Sequence, residues 1–240
     1  MKRTFNPQQL SLITLGAGGL GLVLRMWYFA SRDAKGLLAD AHFANTVSYL
    51  VFAAALAVIF LCVRNLPKEG RYTNCFRTGY LPAAGCVIGA AGILYACISE
   101  AVAHVSISGL SLVVGIPAAI CLIVIGLIRF QGGRPTIYLY AVLALYFVVH
   151  VLLQIRQWNQ ETQQTIIFFP LLASLFLMVC TYFHAHLAVQ QEQVRSLVFF
   201  QQASLLLCCF SINSSLFYLA MAAWMGCDLC IPRQRRREEA

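Results

Sequence analysis

The sequence predicts an integral membrane protein, folded as an all-α bundle of seven transmembrane helices with short loops. Composition is the first observation: 60% of the 240 residues are apolar, 11% are charged and the mean hydropathy is +0.74, whereas soluble domains carry about 25% charge. The second is the arrangement of the charges, which form short clusters between apolar stretches of about twenty residues. A helix of that length crosses a hydrocarbon core roughly 30 Å thick.

Seven such stretches follow one another along the chain. Lipid offers no hydrogen-bond partners to the backbone, so each stretch must be a helix unless the chain closes into a barrel. The apolar runs are continuous and lack the alternation of barrel strands, which favours helices. The spans are predicted at about 10–30, 43–64, 80–103, 107–129, 136–155, 164–189 and 197–226. We expect them to form a single transmembrane domain over residues 1–240, with a short basic tail at 227–240.

The first span contains GAGGLG at residues 16–21, which matches the G-x-G-x-x-G spacing of dinucleotide-binding loops. That motif requires a preceding strand and a βαβ unit, and here it lies inside an apolar helix, so no dinucleotide site is predicted. Small residues one turn apart instead let two helix backbones approach closely. Ala17 with Gly21, and Gly85 with Gly89 in the third span, are therefore expected to pack helices, within the chain or in a homodimer.

Seven crossings would place the two ends of the chain on opposite sides of the membrane. We name the side on which the first helix begins face A and the other side face B. The predicted helix ends place most acidic and histidine residues, and the last two cysteines, on face B. These residues are Asp33, Asp40, His42, Glu100, His104, Glu161, Cys227, Asp228 and Cys230.

A candidate binding site follows from these polar residues. Glu100 and His104 are four residues apart, so they share one helical face and could hold a proton or a metal together. A charge near the bilayer centre is costly and usually faces the bundle interior or a cavity. His42, Glu100, His104 and Asp228 are the predicted binding residues, provided that three separate helix ends converge; interfacial residues in contact with water are the alternative.

The cysteines give a weaker signal. Most of the ten lie in the spans, where a free cysteine behaves as a small apolar residue. Cys227 and Cys230 have the C-x-x-C spacing that can supply two metal ligands or a redox pair. Because there is no second pair, a structural role remains the main alternative to a metal site.

The distribution of basic residues predicts how the protein is oriented in the membrane. Face A would hold nine lysines and arginines and face B eight, half of them in the tail at Arg233, Arg235, Arg236 and Arg237. Short loops and the first helices usually set orientation, which favours a cytoplasmic face A and N-terminus. The net charge of +8 indicates contact with membrane surfaces rather than nucleic acid, since the basic residues flank helices.

Two further details concern helix interiors. His150 and Gln154 share a face of the fifth span, where hydrogen-bonded packing is expected more than a proton relay. Pro117 and Pro170 lie inside the fourth and sixth spans and favour kinks there. The lysines are Lys2, Lys35 and Lys68. None lies in the last span, so a retinal Schiff base is excluded.

These features predict a protein that binds or transports a small solute or ion, or a membrane component of a transport or sensing system. An intramembrane enzyme using Glu100 and His104, with or without a metal, is one alternative. A packing subunit without a site of its own is another. The expected partners are the lipid bilayer and a second copy or another membrane protein; beyond the exclusion of retinal and a dinucleotide, the cofactor stays open.

Overall fold

The computed structural model describes residues 7–31, 42–64, 66, 79–102, 108–159, 164–189 and 194–228. These residues form eight α-helices and no strand. Seven of the helices are long and apolar enough to cross a membrane, and the last is a shorter apolar helix of 12 residues. The helices are α1 (Pro7–Ala30), α2 (Phe43–Arg64), α3 (Tyr80–Val102), α4 (Ser108–Phe130), α5 (Ile137–Trp158), α6 (Gln164–Val189), α7 (Val194–Ser211) and α8 (Leu216–Cys227). The protein is a polytopic membrane protein.

The stretch predicted as one span at 197–226 is divided into two helices. Helix α7 ends at Ser211, whose carbonyl accepts a hydrogen bond from the backbone of Ser214 at 2.9 Å. Ser215 then caps α8, because its hydroxyl accepts from the backbone N–H of Phe217 at 3.2 Å. Short polar side chains compete with the helix for backbone hydrogen bonds and favour helix starts. The polar run at residues 213–215 therefore interrupts an otherwise apolar segment.

Helix α8 runs back toward the side from which α7 came. Gln201, in the first half of α7, donates to the carbonyls of Met225 and Asp228 at the end of α8. On α3, Gly85 near the start of the helix lies against Cys227. Helix α8 is therefore antiparallel to both α7 and α3, and it ends at face A.

This reversal corrects the prediction that put Cys227 and Asp228 on face B. A run of thirty apolar residues is long enough either for one tilted helix or for a hairpin with one short arm. Hydropathy alone does not distinguish the two. Consequently α1, the first described helix, begins on the same face on which α8, the last one, ends.

Glycines mark where helices approach most closely. A Cβ added to Gly21 would collide with the ring of Phe210 on α7, and one added to Gly85 would lie 2.5 Å from Cβ of Cys227 on α8. At Gly89 it would lie 3.1 Å from Cβ of Trp224. By contrast, nothing lies within 4 Å of such an atom at Gly19. The tight contacts join α1 to α7 and α3 to α8, and the half-buried Ala17 packs against the same core.

Helix interiors accommodate their polar and proline residues locally. Helices α4 and α6 continue through Pro117 and Pro170, and the one interruption among the described spans is the turn between α7 and α8. Six hydroxyls among the described residues donate to the carbonyl four residues back in their own helix, and so need no partner in lipid. These are Thr14, Ser48, Ser174, Thr181, Ser204 and Ser211.

Candidate functional site

A cavity of about 450 Å³ lies between α3, α5, α6 and the turn that precedes α8. Its rim is formed by the exposed side chains of Ser99, Gln157 and Ser214, which belong to the face B ends of their helices or to the turn. The cavity therefore opens toward face B. Its polar and apolar walls include Ala96, Glu100, His150, Leu153, Gln154, Ile166, Ile167, Pro170, Ser215, Phe217 and Tyr218.

Three helices bring the polar side chains together. Glu100 lies in the last turn of α3, and His150 and Gln154 lie one turn apart on α5, so both reach the cavity from one face. Tyr218 comes from the first turn of α8. Without the reversal after α7, the Tyr218 phenol could not meet the other three side chains at this depth.

A chain of hydrogen bonds runs through these residues. The amide of Gln154 contacts Nε2 of His150 at 3.2 Å and donates to the hydroxyl of Tyr218. Nδ1 of the same ring lies 3.5 Å from Oε1 of Glu100, without a hydrogen bond to any described residue. The Glu100 carboxylate therefore lies beside the end of this chain.

The far end of this chain is anchored on α6. The carbonyl of Pro170 accepts from the hydroxyl of Tyr218 at 3.1 Å and from that of Ser174 at 3.0 Å. Proline has no N–H, so the carbonyl of Ile166, four residues earlier, loses its usual helical donor. Ile166 and Pro170 are both among the residues that line the cavity.

Two oxygens in the cavity wall have no hydrogen-bond partner among the described residues. They are Oε2 of Glu100 and Oε1 of Gln154, and both are buried. A buried polar atom without a partner costs about 1–3 kcal/mol, more when it is charged. Two such acceptors at one cavity indicate a place where a donor group from outside the chain would be stabilised.

The predicted convergence of His42, Glu100 and Asp228 is not present. The ring of His42 packs edge-on against Trp27 with centroids 5.9 Å apart, and its Nδ1 accepts from the backbone of Ala44 at the start of α2. Asp228 lies near face A, far along α8 from the cavity. Only Glu100 of these three lines the cavity.

The remaining predicted ligands are not brought into a site. His104 and Cys230 lie outside the described residues, so neither the Glu100/His104 pair nor the C-x-x-C pair can be placed. Cys227 is half-buried beside Gly85. Within the described ranges, no three histidine, cysteine or acidic side chains are grouped as a metal site would require.

Asp228 belongs instead to a buried charge cluster near face A, which we call the α8 anchor. Its carboxylate pairs with Arg129 at the end of α4 and lies 3.2 Å from Nε2 of His184 on α6. Arg129 also donates to the hydroxyl of Tyr140 on α5 at 2.7 Å. Gln201 of α7 donates to the Asp228 carbonyl. Together these contacts join the end of α8 to α4, α5, α6 and α7.

The anchor is an almost completely enclosed ionic network. Arg129, His184 and Asp228 expose 2% or less of their surface. Burial alone would raise the pKa of the Asp228 carboxyl, but the charge of Arg129 and the hydrogen bond from His184 hold that pKa below its ordinary value. The other ring nitrogen of His184 lies 2.8 Å from the carbonyl of Cys180. Both ring nitrogens of His184 therefore lie within hydrogen-bond distance of an oxygen acceptor.

A second buried cation lies within α1. Arg25 is fully buried, with one guanidinium nitrogen 3.4 Å from the amide oxygen of Asn45 and another 3.4 Å from the carbonyl of Thr165. Its guanidinium carbon also lies 4.9 Å from the ring centre of Phe29 and 5.0 Å from that of Phe169. Arg25 therefore joins α1, α2 and α6 through hydrogen bonds and cation–π contacts.

Sequence reasoning identified Glu100 but missed most of its surroundings. The four-residue spacing of His150 and Gln154 was visible, yet nothing in the sequence linked these residues to α3. Tyr218 and Arg129 could not be assigned to sites while the last span was taken as one continuous helix. Comparison of the chain with known proteins finds no matching family model, no matching curated protein and no matching solved structure.

Proposed function

We propose that this membrane protein binds a small polar solute in the cavity beside Glu100, as part of a transport or sensing process. The observation that carries the proposal is the pair of buried, unpartnered oxygens of Glu100 and Gln154 in the wall of an open cavity. A volume of about 450 Å³ lies within the range of small-molecule sites, which is roughly 300–1,000 Å³.

We further propose that face A is cytoplasmic, so that the cavity opens to the opposite side. Because α8 ends at face A, we assign the basic tail that follows it to the same side as the N-terminus. Thirteen of the 17 lysines and arginines then flank face A, and the remaining four are Arg25, Arg32, Lys35 and Arg156. An excess of this size is typical of a cytoplasmic side. The solute would accordingly enter from the non-cytoplasmic side.

Cysteine accessibility tests the proposal. Ser214→Cys at the rim and Ala96→Cys in the wall should react with a small, membrane-impermeant thiol reagent applied from the face B side. Ser204→Cys, at a fully buried position of α7, is the control, and the reaction of the parent protein sets the background. A panel of primary amines, carboxylates and polyols should include at least one class that slows the reaction at Ala96→Cys.

Two results would contradict the proposal. If Ala96→Cys and Ser214→Cys react no faster than Ser204→Cys, water does not reach the cavity. If they react quickly but no class of solute slows them, the cavity is open but does not bind small polar molecules.

A further inference from the structure

The unpartnered atoms of the cavity specify the chemistry of what they can hold. Oε2 of Glu100 and Oε1 of Gln154 are both hydrogen-bond acceptors. Two of the neighbouring donors are already engaged: the Gln154 amide donates to Tyr218, and the Tyr218 hydroxyl donates to Pro170. The two unpartnered oxygens can only accept hydrogen bonds, so an occupant that satisfies them must supply N–H or O–H groups.

The charge of the cavity wall narrows the class of ligand further. Nδ1 of His150 lies 3.5 Å from Oε1 of Glu100, and Oε2 of the same carboxylate has no partner among the described residues. No lysine or arginine is among the residues that line the cavity. Glu100 has 17% of its side chain exposed, and a carboxylate so placed is stabilised by a nearby positive charge.

The size and lining of the cavity favour an organic cation over an inorganic ion. A volume of about 450 Å³ exceeds that of a water molecule, roughly 30 Å³, many times over. The walls beside the two acceptors include the apolar side chains of Leu153, Ile166 and Phe217. A bare metal ion would leave these walls without contacts, whereas a short hydrocarbon chain would cover them.

Building on the proposed solute-binding function, we propose that the ligand is a small organic cation with a primary ammonium group. The ammonium donates to Oε2 of Glu100 and Oε1 of Gln154, and its alkyl part packs against the apolar wall. The Glu100 carboxylate is the group that selects the cation, and Gln154 positions the second hydrogen bond. Ligand binding would satisfy both unpartnered oxygens at once.

Calorimetric titration with a matched pair of probes tests the ligand class. n-Butylammonium chloride and 1-butanol have nearly the same size and differ in charge and donor number. Both are titrated into the purified full-length protein at constant ionic strength. We expect n-butylammonium to bind and 1-butanol to bind at least about 10-fold more weakly, since a hydrogen bond to a charged group contributes roughly 10- to 100-fold in affinity.

Substitutions of Glu100 test whether its charge is responsible for binding the ammonium group. Glu100→Gln keeps the shape of the side chain and should weaken n-butylammonium binding about 10- to 100-fold. Glu100→Asp, which retains the charge one carbon further back, should keep part of the affinity and guards against a folding defect. The same neutralisation at Glu192, in the connection between α6 and α7, is the matched control and should leave the affinity unchanged.

Several outcomes would overturn the ammonium proposal. Equal binding of 1-butanol, an unchanged affinity in Glu100→Gln, or Glu100-dependent saturation by sodium chloride alone would each do so. If carboxylates or polyols but not amines slow labelling at Ala96→Cys, the solute-binding function stands and the ligand class is wrong. A cavity that does not react at all with thiol reagents removes both proposals together.

Discussion

Gly85 and Gly19 are both glycines on apolar helices, yet their surroundings differ. A side chain at Gly85 would collide with Cys227, whereas one at Gly19 would enter open space. Gly85→Leu should therefore overpack the contact between α3 and α8 and lower the free energy of unfolding by about 1–3 kcal/mol. Thermal unfolding in detergent measures the effect, with Gly19→Leu as the matched control. Equal losses in both variants would contradict the packing role of Gly85.

The α8 anchor makes a second prediction at the level of single residues. Asp228→Asn leaves the buried Arg129 guanidinium without its counter-charge, and breaking a buried ion pair in this way costs about 3–5 kcal/mol. Chemical unfolding of the purified variant provides the measurement. Replacing both partners, as in Arg129→Met with Asp228→Leu, should recover much of the loss because no unpaired charge remains. If the double variant is less stable than Asp228→Asn, the ion pair is not the source of the effect.

Acid should weaken the same anchor. The folded-state pKa of Asp228 lies below its ordinary value, which is about 3.9 for an aspartate. The stability gained from this shift is fully present above the ordinary pKa and is lost as the pH falls through the lower folded-state pKa. Unfolding measured between neutral pH and about pH 3 should therefore show an acid-dependent loss that is smaller in Asp228→Asn. An identical acid profile in both proteins would assign the loss to other carboxylates.

At the scale of the helix, the start of α8 depends on one side chain. The Ser215 hydroxyl accepts the backbone N–H of Phe217, and loss of such a cap costs about 1 kcal/mol. Ser215→Ala should lower the melting temperature, while Ser215→Asp, which also caps well, should restore it. The same measurement on Ser204→Ala, whose hydroxyl bonds within α7, is the control. A melting temperature unaffected by Ser215→Ala would show that packing alone defines the helix start.

The existence of the long helices could be predicted from the sequence, but the path of the last apolar stretch could not. Hydropathy reports whether a residue tolerates lipid. It carries no information on whether the chain continues across the membrane or turns back. Residues 197–226 are predominantly apolar, and their polar residues are not confined to positions 213–215 but include Gln201, Gln202, Ser204 and Ser211. Because polar residues are also found inside membrane helices, they do not mark the turn. What decides between a continuous helix and a hairpin is the fit of Cys227 and Ala220 against Gly85 and Gly92. That fit is a long-range contact.

The whole molecule makes a topological prediction. With α1 beginning and α8 ending at face A, reporters fused before residue 7 and after residue 228 should both be cytoplasmic. An odd number of crossings would place them on opposite sides, as the sequence alone had predicted. Paired fluorescent and alkaline-phosphatase fusions at both positions distinguish these cases. A phosphatase that is active only at the C-terminal position would contradict the reversal of α8.

The cavity illustrates why only part of a site can be read from one chain. A carboxylate near a helix end is visible in the sequence, and Glu100 was identified for that reason. Its partners come from α5 and α8, and their proximity depends on how the helices pack around each other. Asp228 was grouped with Glu100 because both were assigned to face B; once α8 reverses, the two acids belong to opposite faces.

The shortness of α8 has a consequence for how the protein is inserted during synthesis. Twelve residues make a helix of about 18 Å, well short of the roughly 30 Å of hydrocarbon. Because such a segment is a poor independent stop or start signal, we expect α7 and α8 to enter the bilayer together as one hairpin. If α7 were inserted alone, its C-terminal end would be exposed at face B before α8 had formed. The arginines that follow α8, which resist translocation, would then hold the nascent chain back until α8 docks against α3.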